Sequence, residues 1–300
     1  MQRRNFLRSS ALAGLLTLSS KELFAFFADP VYKVTMLTDS IGIFTEKGGT
    51  IAFLLSNEGI VVVDSEFPEQ AKHLIDDLKT RSNKPFSLLI NTHHHGDHTA
   101  GNIAFKGIVG HVLAHANSKI NQQNSAIKNK TEDQQLYPDQ TYTSTWCQKF
   151  GKEKICLYYS GPGHTNGDSI IHFQHANIVH MGDLVFNRRH PNIDRSAGAS
   201  VKNWINLLDR CGKKFDNKTK FVFGHAAEGH EVTGTQEDLK AFKNYLEQLL
   251  TFTEAEVKAG KSKEEFLKNK FIPGNTEWIG DGIERPLTAA YEEVTMKMTL

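Results

Sequence analysis

Short apolar runs between turn residues dominate the first third of the chain, and such runs are typical of β-strands. Four of them, separated by glycine-containing turns, are residues 31–37, 41–45, 50–56 and 60–64. Similar runs follow at residues 86–90, 109–114, 155–159, 169–173, 177–179 and 221–223. The pattern therefore predicts a protein rich in strands, which fall into two groups along the chain.

Other segments repeat their apolar residues every three or four positions, which predicts amphipathic helices. The pattern is clear over residues 68–81 and predicts further helices at 201–211, 236–252 and 262–268. We also expect a short helix at 102–106 and a polar one at 117–130, followed by an irregular stretch to residue 145. Two groups of strands with helices outside them predict an α/β (α+β) fold.

Composition agrees with one catalytic domain and points to a small substrate. The chain has 300 residues, and its 39% hydrophobic content is enough for a sizeable core. The formal net charge is only +1, and no stripe of basic and aromatic residues is present. We therefore expect a small-molecule substrate and no nucleic acid as partner.

The densest chemical signal follows the strand predicted at 86–90. Four residues of types that bind metals lie within six positions: His93, His95, Asp97 and His98. Imidazole and carboxylate together suit zinc, and a strand that ends in a tight loop can direct alternate side chains at one point. Four ligands exceed the usual requirement of one catalytic zinc, which indicates two metals. A surface histidine cluster that binds metal adventitiously is the alternative.

Three later residues complete the candidate set. His164 lies in a Gly/Pro loop between two predicted strands, whereas Asp183 and His225 each follow a predicted strand and a glycine. We expect His94, which alternates with the ligand-type residues, to have a supporting or surface role. Asp168 is expected to accept hydrogen bonds from its own loop and so to support His164.

In order and spacing these motifs resemble the metallo-β-lactamase superfamily, from about residue 31 to the region of His225. The resemblance implies a four-layer αββα sandwich that holds two Zn²⁺ ions, with iron or manganese as the alternative metal. It implies a first metal on His93, His95 and His164, a second on Asp97, His98 and His225, and a bridging Asp183. It also implies that Asp97 is catalytic and orients a hydroxide generated by the metals.

Position 183 departs from the pattern of the superfamily's β-lactamases, where Cys or Ser is typical. A bridging aspartate is instead the pattern of its glyoxalase II, lactonase and RNase Z branches. We therefore expect a dinuclear zinc hydrolase that opens a small carbonyl substrate, namely a β-lactam, a lactone or a thioester. Two alternatives stay open: a mononuclear iron oxygenase of the persulfide dioxygenase type, and a non-catalytic metal-binding protein of the cell envelope.

A polar loop just after Asp183 supplies candidates for substrate contact. Arg188, Arg189, His190 and Asn192 lie in it, and loops at strand ends line the site in the fold that the resemblance implies. A solvated loop without a functional role is the alternative.

The N-terminus resembles a bacterial twin-arginine signal peptide. Residues 3–4 are both arginine, Phe and Leu follow at 6–7, and residues 11–18 are apolar, although Gln2 replaces the usual Ser or Thr. We expect residues 1–28 to be the signal peptide and residues 29–300 the catalytic domain, in the periplasm or secreted. The cleavage site stays open. An uncleaved anchor is the alternative, but the apolar stretch is too short to predict a membrane span, and we expect no stable membrane insertion after removal of the signal.

Three cysteines are present, which is neither a zinc-ribbon pattern nor a dense disulfide framework. Cys147 and Cys156 flank a predicted turn at 149–154 and could face each other across a hairpin. The sequence leaves their pairing open, and we do not predict it.

Overall fold

The structure is a computed structural model, and it describes residues 32–279 and 282–296. The expected signal peptide, residues 1–28, lies outside these described residues. Within them, no helix combines the length and the apolar character that crossing a bilayer requires.

The first sheet contains seven strands in chain order. They are β1 (Lys33–Met36), β2 (Ile41–Thr45), β3 (Ile51–Ser56), β4 (Gly59–Val63), β5 (Phe86–Ile90), β6 (Val109–His115) and β7 (Gln140–Tyr142). Strands β2 to β4 are antiparallel hairpin neighbours, whereas β4 to β7 run parallel. The carboxyl ends of β4, β5 and β6 therefore meet at one edge of the sheet.

The second sheet has six strands in the order β15–β13–β11–β10–β9–β8. They are β8 (Thr145–Phe150), β9 (Glu153–Tyr158), β10 (Ile170–Phe173), β11 (Ile178–His180), β13 (Lys220–Val222) and β15 (Thr233–Gly234). Strands β11 and β13 are parallel, so their carboxyl ends also share an edge. A separate two-stranded parallel ribbon joins β12 (Phe186–Asn187) to β14 (His225–Ala226).

The two sheets pack face to face around an apolar core. The first sheet contributes Ile41, Ile43, Ala52, Leu54, Val61, Val63, Leu88, Ile90, Leu113 and Tyr142. The second contributes Phe150, Ile155, Leu157, Ile171, Phe173, Ile178 and Val222. Because side chains alternate along a strand, the intervening residues face outward, towards the helices.

Seven α-helices are present among the described residues. They are α1 (Pro68–Arg81), α2 (Gly96–Thr99), α3 (Ala116–Asn129), α4 (Val201–Lys214), α5 (Gln236–Lys258), α6 (Lys263–Phe266) and α7 (Glu284–Met296). Helices α4, α5 and α7 share one apolar cluster with the outer face of the second sheet. Helix α1 buries Ala71, Leu74, Ile75 and Leu78 on the side of the first sheet. The layers are those of the expected αββα sandwich, and the fold prediction is confirmed.

Some boundaries differ from the prediction. Instead of the helix expected at 102–106, a 3₁₀ helix spans Ala100–Phe105 and follows α2 directly. Such 3₁₀ turns are frequent at the ends of α-helices. The stretch expected to be irregular before residue 145 contains strand β7 at the edge of the first sheet. Short polar elements of this kind carry too few apolar residues to show a period.

Cys147 and Cys156 form a disulfide bond, which the sequence analysis did not predict. They face each other because β8 and β9 are joined by a two-residue turn, so that Cys147 pairs directly with Cys156 in the hairpin register. Closing a loop between residues nine positions apart stabilises the fold by about 2.5 kcal/mol through the entropy of the unfolded chain. The third cysteine, Cys211, is free and buried among the helices.

Candidate metal centre

The ligand-type residues all follow strands whose carboxyl ends share an edge. His93 to His98 come after β5, Asp183 after β11 and His225 after β13. Hydrogen bonds connect the two sheets at this edge: Thr50 N donates to Gly224 O at 2.9 Å. The sandwich therefore brings residues more than a hundred positions apart to one place.

Three imidazoles form the first group. His95 Nδ1 lies 3.1 Å from His93 Nε2 and 2.8 Å from His164 Nε2. His93 and His164 are fully buried, whereas His95 is partly open to the surface. The three nitrogens converge on one point, as the sequence analysis expected of these residues.

The second group consists of Asp97, His98 and His225. Asp97 Oδ2 lies 3.1 Å from His225 Nε2 and 3.8 Å from His98 Nε2. The His98 side chain is completely buried, and about a third of the Asp97 side chain is exposed. One carboxylate and two imidazoles thus face each other at the mouth of the site.

Asp183 lies between the two groups. Its Oδ2 is 3.5 Å from His164 Nε2 and 3.9 Å from His93 Nε2, on the side of the first group. Its Oδ1 is 3.0 Å from His98 Nε2 and 3.5 Å from His225 Nε2, on the side of the second. Each oxygen therefore faces a different set of donors, which is the geometry that a bridging ligand requires.

Outer hydrogen bonds fix which nitrogen of each buried imidazole carries the proton. Thr92 Oγ1 donates to Asp64 at 2.7 Å, so it accepts from His93 Nδ1 at 3.1 Å. His164 Nδ1 donates to the carbonyl oxygen of Asn192 at 2.7 Å. Since a neutral imidazole has one N–H, the Nε2 atoms of His93 and His164 direct lone pairs inward.

The other two histidines are oriented by carboxylates. His95 Nε2 donates to Asp194 at 2.9 Å, and His98 Nδ1 donates to Asp64 at 2.8 Å. In their neutral forms, these rings direct a lone pair inward as well. In the first group the inward nitrogen atoms lie 2.8 to 3.1 Å apart with their lone pairs directed at one another, so they cannot hydrogen-bond to each other and instead fit a shared cation.

Two buried atoms support the same conclusion for the second group. His98 Nε2 and Asp183 Oδ1 are inaccessible to solvent, and although they lie 3.0 Å apart, neither atom forms a hydrogen bond of good geometry among the described residues. Buried polar atoms without partners are rare and costly unless they bind an ion. The set of imidazole and carboxylate donors thus fits divalent metal ions.

The protonation states agree with this interpretation. Burial lowers the pKa of His93 well below its ordinary value, and it lowers the pKa of His164 to about 4, so both rings are neutral at pH 7. Burial opposes ionisation of Asp183, but His225 and His98 outweigh it and hold the pKa of that carboxyl well below its usual range. The first group therefore presents the neutral imidazoles of His93 and His164 beside an anionic carboxylate. At His98, burial is outweighed by the carboxylates of Asp183, Asp64 and Asp97, which raise the pKa of the imidazole well above its ordinary value.

A short loop supports the second group from behind. The buried carboxylate of Glu66 accepts hydrogen bonds from the backbone N–H groups of residues 46–48, at 2.7 to 3.1 Å. The loop lies so close to His98 that a Cβ at Gly49 would overlap the imidazole ring, which requires glycine there. Gly49 N also donates to Asp97 O at 2.9 Å. The loop thus fixes the backbone that carries Asp97 and His98, both candidate ligands.

Three of the four candidate substrate-contact residues line the cleft at the metal centre, and one does not. Arg189, His190 and Asn192 line a cleft of about 310 Å³ that opens onto Asp97, Asp183 and His225. Arg188 does not line it: its guanidinium lies 3.4 Å from Glu277 and 4.8 Å from the Trp278 ring centroid. The backbone of Arg188 has a positive φ of 57°, so its side chain leaves the loop in another direction.

His94 and Asp168 have supporting positions. His94 is buried rather than on the surface, and its Nε2 lies 3.7 Å from Asp194. Asp168 accepts hydrogen bonds from the amide and hydroxyl of Thr165 at 2.8 and 2.7 Å, in its own loop as expected. Burial raises the pKa of the Asp168 carboxyl to about 7.

Three residues at the site were missed in the sequence analysis. Asp64 follows strand β4 in the way that Asp183 follows β11, and this shared position after a strand is the feature of the sequence that could have identified Asp64. Asp194 lies just beyond the candidate loop but has no distinguishing neighbour. Arg285 lines the cleft from α7, far along the chain, and no motif marks it.

Comparisons with known proteins agree with this geometry. The family model described as the metallo-beta-lactamase superfamily matches residues 45–225, a range that includes every candidate metal ligand. A type 2 metallo-beta-lactamase of Elizabethkingia meningoseptica is 25% identical over 225 residues, or 72% of this chain and 87% of the relative. A metallo-beta-lactamase of Chryseobacterium indologenes is 24% identical over 214 residues, or 69% of this chain and 85% of the relative.

A solved structure shares the fold. The metallo-beta-lactamase from Pontibacter korlensis superimposes with a TM-score of 0.60 and 22% sequence identity, over 72% of this chain and 99% of that one. The resemblance drawn from the ordered motifs is thereby confirmed, and its subfamily stays open. The match over most of the domain, with the buried His/Asp cluster, shows that this chain belongs to the metallo-beta-lactamase superfamily of metal-dependent hydrolases.

Proposed function

We propose that the protein is a two-metal hydrolase that opens a small carbonyl substrate. The observation that carries this proposal is the position of Asp183, whose Oδ1 faces the imidazoles of His98 and His225 while its Oδ2 faces those of His93 and His164. Zn²⁺ suits these donors best, with iron or manganese as the alternative. When bound, the two ions supply Lewis acidity and lower the pKa of a shared water towards neutrality.

The ligands divide the work between them. His93, His95 and His164 carry no negative charge, so they leave the positive charge of an ion at the first position undiminished, which suits it to polarise a carbonyl oxygen. Asp183 fixes the separation of the two positions, because its carboxylate faces both. The pKa of Asp97 is also held low, since His98 and His225 outweigh the effect of its burial.

Asp97 is the catalytic residue of this proposal. Its carboxylate belongs to the second group and also lines the cleft. It can therefore accept a hydrogen bond from the attacking water and orient it towards the substrate carbonyl. Asn192 lines the same cleft, but its carbonyl oxygen is used by His164. Its side-chain amide remains a candidate for contact with substrate.

The substrate class is a β-lactam, a lactone or a thioester. The cleft of about 310 Å³ is of the size that takes a small molecule. The names of the relatives support a β-lactam. Aspartate at position 183, where β-lactamases of the superfamily typically have Cys or Ser, supports the wider group of esters and thioesters.

We expect metal analysis to find two zinc ions per chain, and Asp97→Ala to lower kcat by about 10²-fold even when zinc is supplied in excess. Assays with a chromogenic cephalosporin and a homoserine lactone separate the two substrate classes.

Other results would contradict this function in distinct ways. An Asp97→Ala variant that holds two ions and retains full turnover would remove the catalytic role of Asp97. One iron and no zinc per chain would favour the mononuclear oxygenase. Zinc-loaded protein that is inert towards lactams, lactones and thioesters would favour a non-catalytic metal-binding protein of the envelope.

We also propose export to the periplasm or the medium through the N-terminal signal. The Cys147–Cys156 disulfide supports this location, since disulfides persist in oxidising compartments. We expect cell fractionation to find the mature protein outside the cytoplasm, and substitution of lysine for both Arg3 and Arg4 to retain the longer precursor inside. If the wild-type protein and the double lysine variant were distributed in the same way between the cytoplasm and the exterior, export by this route would be contradicted.

A further inference from the structure

The Cys147–Cys156 disulfide lies at an edge of the second sheet, and its two cysteines differ in exposure. Cys147 is on β8, the outermost strand, and is exposed to solvent. Cys156 is on β9, one strand further in, and only 1% of its surface is accessible. A dissolved thiol therefore has access to the bond from the side of Cys147 and not from the side of Cys156.

At the disulfide, residues of three strands form one row on the outward face of this sheet. Cys147 is paired with Cys156 across β8 and β9, and Cys156 is paired with His172 across β9 and β10. Ile155 and Leu157, on either side of Cys156, face the core between the sheets, so Cys156 and its two partners face outward. Directly opposite residues have Cβ atoms about 4.5–5.5 Å apart, which puts the His172 side chain next to that of Cys156.

The imidazole of His172 has no hydrogen bond in the part of the chain that the structure describes. Both of its nitrogen atoms are inaccessible to solvent, which makes the missing partner costly. Burial and the nearby Lys214 ammonium lower the pKa of His172 to about 4, so the ring is neutral at pH 7 and carries one N–H. Asp216 opposes this shift, but its carboxylate is exposed and accepts a hydrogen bond from Asn177 Nδ2 at 3.0 Å.

A thiolate at Cys156 would supply the partner that His172 lacks. If the disulfide opens with Cys156 as the leaving group, its sulfur becomes an anion that can accept the N–H of His172. Lys214 Nζ lies 4.0 Å from the ring centroid of Tyr158, two residues along β9 on the same face, and a nearby cation also favours a thiolate. Exchange is faster when the leaving thiolate is more stable. The surroundings thus favour attack at Cys147 and departure of Cys156.

We propose that the Cys147–Cys156 bond is a thiol-exchange site that captures a small external thiol on Cys147. The thiolate of that molecule attacks Cys147 Sγ and forms a new S–S bond with it. The old bond breaks, and its electron pair leaves with Cys156, which takes up the proton that the incoming thiol released. One thiol and one protein disulfide thus give one mixed disulfide at Cys147 and one thiol at Cys156. The reverse attack by Cys156 releases the captured molecule, so the modification is reversible.

This site is separate from the metal centre. Cys147, Cys156 and His172 neither line the cleft nor belong to the groups of candidate metal ligands. The inference therefore goes beyond the proposed hydrolase function and does not rest on it. Its tests measure sulfur chemistry alone, so their failure would leave the hydrolase function untouched.

Reduced glutathione is the probe, used on the folded wild-type protein with its disulfide intact. We expect brief incubation, acid quenching, alkylation and peptide mapping to find glutathione on Cys147 and an alkylated thiol at Cys156. The adduct at Cys147 should exceed any adduct at Cys156 at least about tenfold. The buried free cysteine, Cys211, is the internal control and should carry no glutathione. A bond that opens only in denaturant, or an adduct mainly on Cys156, overturns the proposal.

Variants of His172 test its role at the leaving sulfur. His172→Phe keeps a ring but removes the N–H, so we expect it to lower the rate of exchange about tenfold, whereas His172→Gln keeps an N–H donor and should retain more of the rate. The matched control is His175→Phe, which removes an exposed imidazole beyond the end of β10 and should leave the rate unchanged. Equal rates in His172→Phe and the wild type would disprove assistance by His172.

A single-cysteine background separates this assistance from a mere loosening of the sheet edge. In Cys156→Ala the exposed Cys147 is a free thiol, and its rate of alkylation reports access alone. Adding His172→Phe to this variant should leave the alkylation rate unchanged. A faster alkylation there would show that His172 acts only by packing the strands, which would overturn its part in the exchange.

Discussion

Replacing Asp183 with alanine is expected to remove at least one metal ion per chain and to lower kcat/KM by about 10²- to 10³-fold. Its oxygens lie 3.0 Å from His98 Nε2 and 3.5 Å from His164 Nε2, so one side chain serves both groups. Stabilisation of charge by a bound ion contributes several kcal/mol to the transition state, which corresponds to a loss of this size. Metal analysis and steady-state kinetics measure the two effects.

Two variants at position 183 separate the role of the negative charge from that of the two oxygens that face different groups. Asp183→Asn keeps the shape but loses the negative charge, and we expect weakened binding of both ions. Asp183→Cys replaces two oxygens, which face different groups, with one sulfur atom, so we expect one site to bind normally and the other weakly. If Asp183→Ala retained two tightly bound ions, Asp183 would not be a bridging ligand.

The second large effect is expected at Asp64, which lies outside the two groups of candidate metal ligands. Its buried carboxylate accepts hydrogen bonds from Thr92 N, Thr92 Oγ1 and His98 Nδ1, at 2.8, 2.7 and 2.8 Å. Asp64→Ala leaves three buried donors without partners, and each costs about 1–3 kcal/mol. We expect the free energy of unfolding to fall by at least about 3 kcal/mol in denaturant titrations. Affinity for the second ion should fall about 10- to 100-fold.

Asp139 provides a matched control for Asp64. It also accepts from a backbone amide and an imidazole, Val112 N and His111 Nδ1, both at 2.7 Å. Its side chain is about half exposed, so water replaces the lost bonds. Asp139→Ala should therefore lower the free energy of unfolding by less than about 1 kcal/mol. Equal losses at the two positions would show that burial of Asp64 is not the cause.

The convergence of the ligand-type residues could be predicted because each one follows a short apolar run. Strand ends that share an edge bring such residues together, and the spacing of His93, His95, Asp97 and His98 is visible without a structure. Asp64 follows the same rule at the end of β4. Its importance was missed because a carboxylate after a strand is usually an ordinary hydrogen-bonding residue.

The contributions of Asp194 and Arg285 could not be predicted in this way. Asp194 acts through a single hydrogen bond to His95, and that contact depends on how the loop folds back over the centre. Arg285 depends on the docking of α7, a long-range packing event that no local pattern encodes. The pairing of Cys147 with Cys156 could be predicted in part. The turn predicted at 149–154 has the same centre as the hairpin turn that places the two cysteines opposite each other.

The hydrogen bonds from the loop at 46–48 to the Glu66 carboxylate affect how the protein acquires its ions. Gly49 N donates to Asp97 O, and Asp64 accepts a hydrogen bond from His98 Nδ1, so contacts within the protein position both residues. Ligands ordered in advance lose little conformational freedom on coordination, unlike those of small domains that fold only when zinc binds. Uptake should therefore proceed in the folded state, and exchange of one divalent ion for another should follow the supply of ions around the protein.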